Sequence, residues 1–346
     1  MSIAATRLDE YRLDYSKSNY DAAELRGSMY GAYETFKADT PLLIPGYADL
    51  IANRQAAVRT ISIPVINRKE SWNAASTRTC SALTGENTSA YVTPTWTTLK
   101  DGFSMMKAQY YNNYIDYQAD FNNKMKQMQD SILRTLDTAG YTHLNTNRTA
   151  TNDADGNPYT VTANSMIVPA ADNDLFLNEL GAIMVTNDFS DAGVNIVSSP
   201  RFANALTKYG KAQGAANDEN LVFQYPGFSF KTSNRVTITS SAYRDTLYAV
   251  PQGNLGFLSW VDPDADHGHE SSDGKIWSKQ FLPMLGIDVG LLFQSTCSAG
   301  TTAYGTGYDA TLTESFAFSF DYSFVSAYNS ATGTYAGAIF KADLIK

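Results

Sequence analysis

The chain of 346 residues carries 26 Lys and Arg against 35 Asp and Glu, a formal charge of −9, with 43% hydrophobic and only 18% charged residues. That balance excludes wholesale disorder and argues against a dedicated nucleic-acid binder, which needs a basic patch to neutralise phosphates. Neutral polar residues and aromatics, with 22 Tyr and 17 Phe, take the place of the missing charges and suit protein–protein contact.

Residues 1–40 read as a polar arm with one helix. Asp21 and Glu24 have capping-box spacing, and Leu25, Met29, Ala32, Tyr33 and Phe36 share a helical face. Pro41 and Pro45-Gly46 are expected to end it, with a short helical patch over Tyr47 to Ala57. No basic region followed by an apolar stretch marks the start, so no secretory signal is expected.

Ile61, Ile63 and Val65 alternate within a strand expected over Val58 to Ile66, and Tyr91 to Leu99 reads as its returning partner. Between them, Asn67 to Ala90 offers only Trp72 and Leu83 as large apolar side chains, so the tip cannot build a core of its own. Loops of this length are uncommon inside compact domains, and an isolated ribbon is marginal in water. This one is expected to lie against something else.

Tyr114, Tyr117, Phe121, Met125, Met128, Ile132, Leu136 and Ala139 step by three and four, and Gly140 stands where a C-cap is expected. Roughly 24 helical residues give a rod of about 36 Å. Beyond it, residues 159–168 read as a strand, Leu175 to Met184 as a helix and Val194 to Ser198 as a buried strand. Pro200 is expected to open a helix reaching Tyr209. Strands are expected over Leu221 to Lys231, Val236 to Val250 and Gly253 to Trp260. Phe316, Phe318, Phe320, Tyr322 and Phe324 alternate strictly and mark a long one-sided strand, with Phe340 to Ile345 expected to close its sheet.

Chemistry is sparse. Cys80 and Cys297 are too few for a disulfide framework or a four-thiolate zinc site. No hydrolase elbow, Walker loop or His-Glu-x-x-His occurs. Gly305-Thr306-Gly307 precedes a strand and so lacks the helix N-terminus a pyrophosphate needs. Asp262, Asp264, Asp266, Glu270 and Asp273 space like a calcium loop, but His267 stands where glycine makes the turn, which favours a solvated acidic loop without metal. No cofactor and no enzymatic activity are expected.

The order of parts resembles the tailed-phage major capsid proteins of the Hong Kong 97 type: polar arm, polar-tipped ribbon, spine helix, mixed middle and β-rich return. Several stretches read similarly to that family: Arg78-Thr79-Cys80, Glu86 through Thr93, Tyr114 through Phe121, Asn195 through Pro200, and Tyr248 through Gly253. The resemblance implies an α+β fold with an N-terminal arm over 1–54, an extended loop over 55–103, and a peripheral domain with spine helix over 104–170. An axial domain over 171–262 and a β-rich return over 263–346 complete it. It implies a subunit that self-assembles into hexamers and pentamers of an icosahedral shell around double-stranded DNA, without sequence-specific DNA binding. Separate scaffolding, portal and decoration proteins would be its partners, and its place would be the virion, after assembly in a host bacterial cytoplasm and with no membrane. The alternative is another β-rich virion component, a tail or attachment module. Arg54, Arg59, Arg68, Lys69 and Arg78 against Glu70 leave the ribbon basic on an acidic chain. Arg59, Arg68, Lys69, Trp72, Arg78, Tyr91 and Trp96 are therefore the candidate intersubunit contacts.

Overall fold

A computed structural model describes residues 7–13, 29–44, 47, 63–66, 89–106, 110, 116–148, 157–173, 175–186, 189, 193–202, 227–299, 310–326 and 338–346. For 63–66, 89–92, 298–299 and 310–311 the backbone alone is described. The expected capping box at Asp21 and Glu24 and most of the helices expected after Tyr47 and Pro200 lie outside these residues.

Among the described residues, two six-stranded sheets and one two-stranded ribbon make up the β structure. The first sheet runs β10 (His269–Glu270), β11 (Lys275–Leu282), β12 (Ile287–Ala299), β13 (Ala310–Ser326) and β3 (Thr97–Met106). β9 (Leu255–Trp260) also joins β13. Asp321 and Tyr322 pair with both β3 and β9, so β9 lies on the edge opposite β3, continuing the edge that β12 occupies. The second sheet runs β4 (Thr160–Thr162), β5 (Ser165–Val168), β14 (Phe340–Ile345), β8 (Tyr243–Pro251), β6 (Val194–Ser198) and β7 (Phe228–Thr232). The expectation that Phe340–Ile345 closes the C-terminal sheet is corrected: it lies in the middle of the second sheet, parallel to β5 and antiparallel to β8. Period-2 patterning says that a strand exists and which face is apolar; it carries no record of the partner.

The aromatic strand is 17 residues long, and its one-sided character stops halfway. Phe316, Phe318 and Phe320 are buried while Ala317 and Ser319 are partly open. From Asp321 onward both faces are largely covered, because Leu43, Ile44, Tyr47 and Trp96 pack over Val325 and Leu258 on the second face.

Among the described residues of the arm, two helical segments stand where one was expected: α1 (residues 7–13) and α2 (Gly31–Leu43). Pro41 does not end α2; it sits inside the last turn. The arm is also less polar in its contacts than its composition suggests, since Leu8, Tyr11, Tyr33 and Phe36 are buried in the main core.

The spine, α3 (Tyr117–Thr146), has 30 residues, about 45 Å of rod. It starts later than Tyr114 because Asp116 turns extended and caps it, accepting from Gln118 N. It also runs past Gly140. There the missing Cβ serves close approach, since one added would lie 3.3 Å from the Phe324 ring and 3.6 Å from Ala32. The N-terminal half packs on the first sheet, with Phe121 edge-on to Phe103 and Phe316 at 5.5 and 5.1 Å. The C-terminal half reaches the second sheet, where the Tyr248 hydroxyl donates to Asn145 at 2.8 Å. The opposite face of that sheet carries Leu247, Ala249, Phe340, Ala342 and Leu344 in a separate core with α4 (Phe176–Thr186).

Gly102 in β3 pairs with Ala317, and a Cβ there would stand 2.3 Å from the Phe316 carbonyl oxygen, a backbone atom that cannot yield. Gly102→Ala is expected to push β3 off β13 and cost about 1–3 kcal/mol. An unchanged urea midpoint would show that the edge strand relaxes freely.

Candidate assembly site

The ribbon pairs β1 (Ile63–Ile66) with β2 (Ser89–Val92), antiparallel, from Ile63 opposite Val92 to Ile66 opposite Ser89. The pairing agrees with the hairpin expected, but the returning segment is two strands: β2 stops at Val92, Thr93 to Trp96 form no strand, and β3 begins at Thr97. Pro94 explains the break, since it cannot donate to a ladder. Among the described residues the ribbon pairs with neither six-stranded sheet.

At the ribbon's foot Trp96 meets Trp260 edge-on, 6.2 Å between centroids, so that this indole is used within its own chain. Tyr91 lies in β2 with its side chain not described, and Arg59, Arg68, Lys69, Trp72 and Arg78 lie outside the described residues. Between the foot, the C-terminal half of the spine and the end of β13 is an open cavity of about 570 Å³.

Three polar groups that the sequence reading passed over hold this region together. Asp39 on α2 is 2% exposed and clamps the turn that carries the chain from β8 into β9. Its carboxylate accepts from Gly253 N at 2.7 Å, Asn254 N at 2.9 Å and Leu255 N at 2.8 Å, and from Asn195 Nδ2 at 3.2 Å. Asp137 on the spine caps α2 from outside, accepting from Ala32 N at 2.9 Å and Tyr33 N at 3.1 Å. Tyr30, the residue at the N-cap position, provides no side-chain cap. Burial raises the pKa of both carboxyls, and their donors oppose that shift. Gln129 ties α1 and the β11–β12 turn to the spine, donating to the Tyr11 hydroxyl at 2.7 Å and accepting from Met284 N at 3.1 Å. A signal for Asp137 and Gln129 exists in the sequence: each is a polar residue on the apolar stripe of a helix. Asp39 carries the same signal, three residues beyond Phe36 on the apolar face of α2.

The fold also holds His143 toward its neutral form. Burial lowers its pKa to about 4. It faces Phe36 edge-on at 5.5 Å, with Nε2 3.3 Å from Ser326 Oγ.

The acidic segment does not form a loop around a cation. Asp262 caps a one-turn helix, α5 (Pro263–His267), by accepting from Asp264 N at 3.0 Å. Asp266 pairs with Lys279 at 2.6 Å, and Glu270 is exposed on β10. Among the described residues no three His, Cys, Asp or Glu side chains come together as a metal site would need.

No family model and no curated protein matches the chain. It is similar to the solved cyanophage A-1(L) capsid asymmetric unit at 12% identity and a TM-score of 0.45, over 83% of this chain and 88% of that one. It is similar to the asymmetric unit of the bacteriophage PhiM1 mature capsid at 13% identity and a TM-score of 0.43, over 82% of each chain. A structure from Mycobacterium phage Che8 matches at 10% identity and a TM-score of 0.44, over 87% of this chain and 89% of that one.

Proposed function

We propose that the chain is a shell subunit, a major capsid protein of the Hong Kong 97 type that closes by repetition around a double-stranded DNA genome. One observation carries the reading: among the described residues the ribbon pairs only with itself, while the arm, the spine and both sheets are tied into one body. A two-stranded ribbon is marginal alone, so its stable place is on another molecule, and in a closed repeating array that molecule is the next copy. In this reading the first sheet with the spine is the peripheral part. The second sheet is the axial part, which moves β4, β5 and β14 out of the peripheral domain expected over 104–170 and 263–346, and β9 out of the axial domain expected over 171–262. The role is structural and located in the virion. The partners are further copies of the chain, with separate scaffolding, portal and decoration proteins.

The test is to replace Asn67 to Ala90 with a two-residue Asn-Gly turn, which joins the flanking strands as a short hairpin. The variant is expected to stay soluble, with its helical circular dichroism retained, and to lose closed shells in electron micrographs. Stable shells of normal size would sink the intersubunit role. An unchanged oligomer with altered ligand binding would favour the attachment module.

A further inference from the structure

The cavity at the ribbon's foot has an imidazole on its wall. It is lined by the ribbon base (Thr93, Thr95), the spine (Thr142, His143) and the end of β13 (Tyr322, Ser326), among others, and among the described residues no Asp, Glu, Lys or Arg is on its wall. His143 sits where four elements converge: the spine that carries it, the arm helix α2 through Phe36, β13 through Ser326, and the ribbon base across the cavity. The groups that face it are correspondingly neutral. α2 presents the Phe36 ring, β13 presents Ser326 with Tyr322 and Phe324 beside it, and the ribbon base presents threonines and Pro94. Among the described residues Tyr322 is the other titratable side chain on the wall; a phenol is neutral in acid, and burial raises its pKa further.

We propose that His143 is an acid-operated latch: its neutral ring joins the arm helix and the end of β13 to the spine, and protonation through the open cavity loosens them together. Among the described residues of the wall a cation there finds no formal counter-charge to offset its burial, and the C-terminal dipole of the spine, in whose last turn His143 stands, offsets only part of that cost. The Phe36 and His143 rings stand perpendicular, with an interplanar angle of 88°. The latch is independent of whether the chain assembles.

The sign follows from linkage. The unfolded chain takes up a proton near the ordinary value of 6.5, whereas the folded chain does so only near 4. Stability is therefore full above 6.5, falls as pH drops toward 4, and levels below. Over that span the unfolding constant is expected to rise about 10²-fold through this group alone.

Urea unfolding of the full chain from about pH 7 to about pH 4 should show that rise. His143→Gln, which keeps a donor for Ser326, should be flatter by about 10²-fold across the range. Amide exchange in α2 should accelerate in acid in the parent chain and not in the variant. If the variant does not fold, the imidazole proton resonance of the parent chain decides: titration well below 6.5 supports the latch, and titration near 6.5 overturns it. Parallel pH profiles for the two chains would overturn it as well.

Discussion

Asp137→Ala is expected to cost about 3–5 kcal/mol, on the basis of about 1–3 for each buried donor left without an acceptor. The carboxylate is fully buried and accepts from two α2 amides and from Ser233 Oγ at 2.5 Å. Alanine strands all three donors. α2 has no side-chain cap of its own, so its first turn also loses the local anion that opposes the helix dipole. Asp137→Asn is the control. Its amide oxygen can serve the two amides, and the Ser233 hydroxyl can turn to accept. Neutralisation also removes the desolvation that raises the carboxyl pKa, so the loss should stay within about 1 kcal/mol. A group raised in this way stabilises below its unfolded pKa and loses that contribution as pH rises through the folded one, a dependence that Asn abolishes. Chemical denaturation of both variants decides the matter. Equal losses for Ala and Asn would mean that volume, not capping, is what position 137 supplies.

Phe316→Ala is expected to cost about 3–5 kcal/mol for a different reason, the loss of a large core side chain and the cavity it leaves. Phe316 is 1% exposed and meets three rings: Phe103 stacked at 5.3 Å, Phe121 at 5.1 Å and Phe293 at 5.2 Å. These come from β3, the spine and β12, so one side chain joins the three layers of contact around the first sheet. Phe324 belongs to the same alternating run but is only half-buried. Phe324→Ala should cost less, and a reversal of that order in urea midpoints would show that the core is centred at the other end of β13.

The alternating aromatics and the three-and-four stepping were legible because each is a local repeat imposed by strand or helix geometry. The spine and the long strand were therefore found with their apolar faces correct, the strand short at both ends and the spine begun too early and stopped too soon. Gly140 misled because its reason is tertiary: a phenylalanine ring and the arm backbone approach there, which a local rule reads as termination. β14 was recognised as a strand and assigned to the wrong sheet, since its partners lie about a hundred or more positions away. The region around His143 escaped the sequence reading, since it is a meeting of residues from 36, 143 and 326 with no spacing to betray it. Asp262 through Asp273 were read as one solvated acidic loop and instead form a helix cap and two separate ion pairs.

The position of β14 bears on the order in which the molecule comes into being. β14 fills the place between β5 and β8, and its Phe340, Ala342 and Leu344 complete the core under α4. Until residues 340–345 have left the ribosome, the second sheet is two fragments, each with an open edge. The missing pairs also span long stretches of chain, and such contacts form slowly. A nascent or truncated chain thus cannot present the finished second sheet, and quality control is written into the topology: only a polypeptide synthesised through residue 345 can close it.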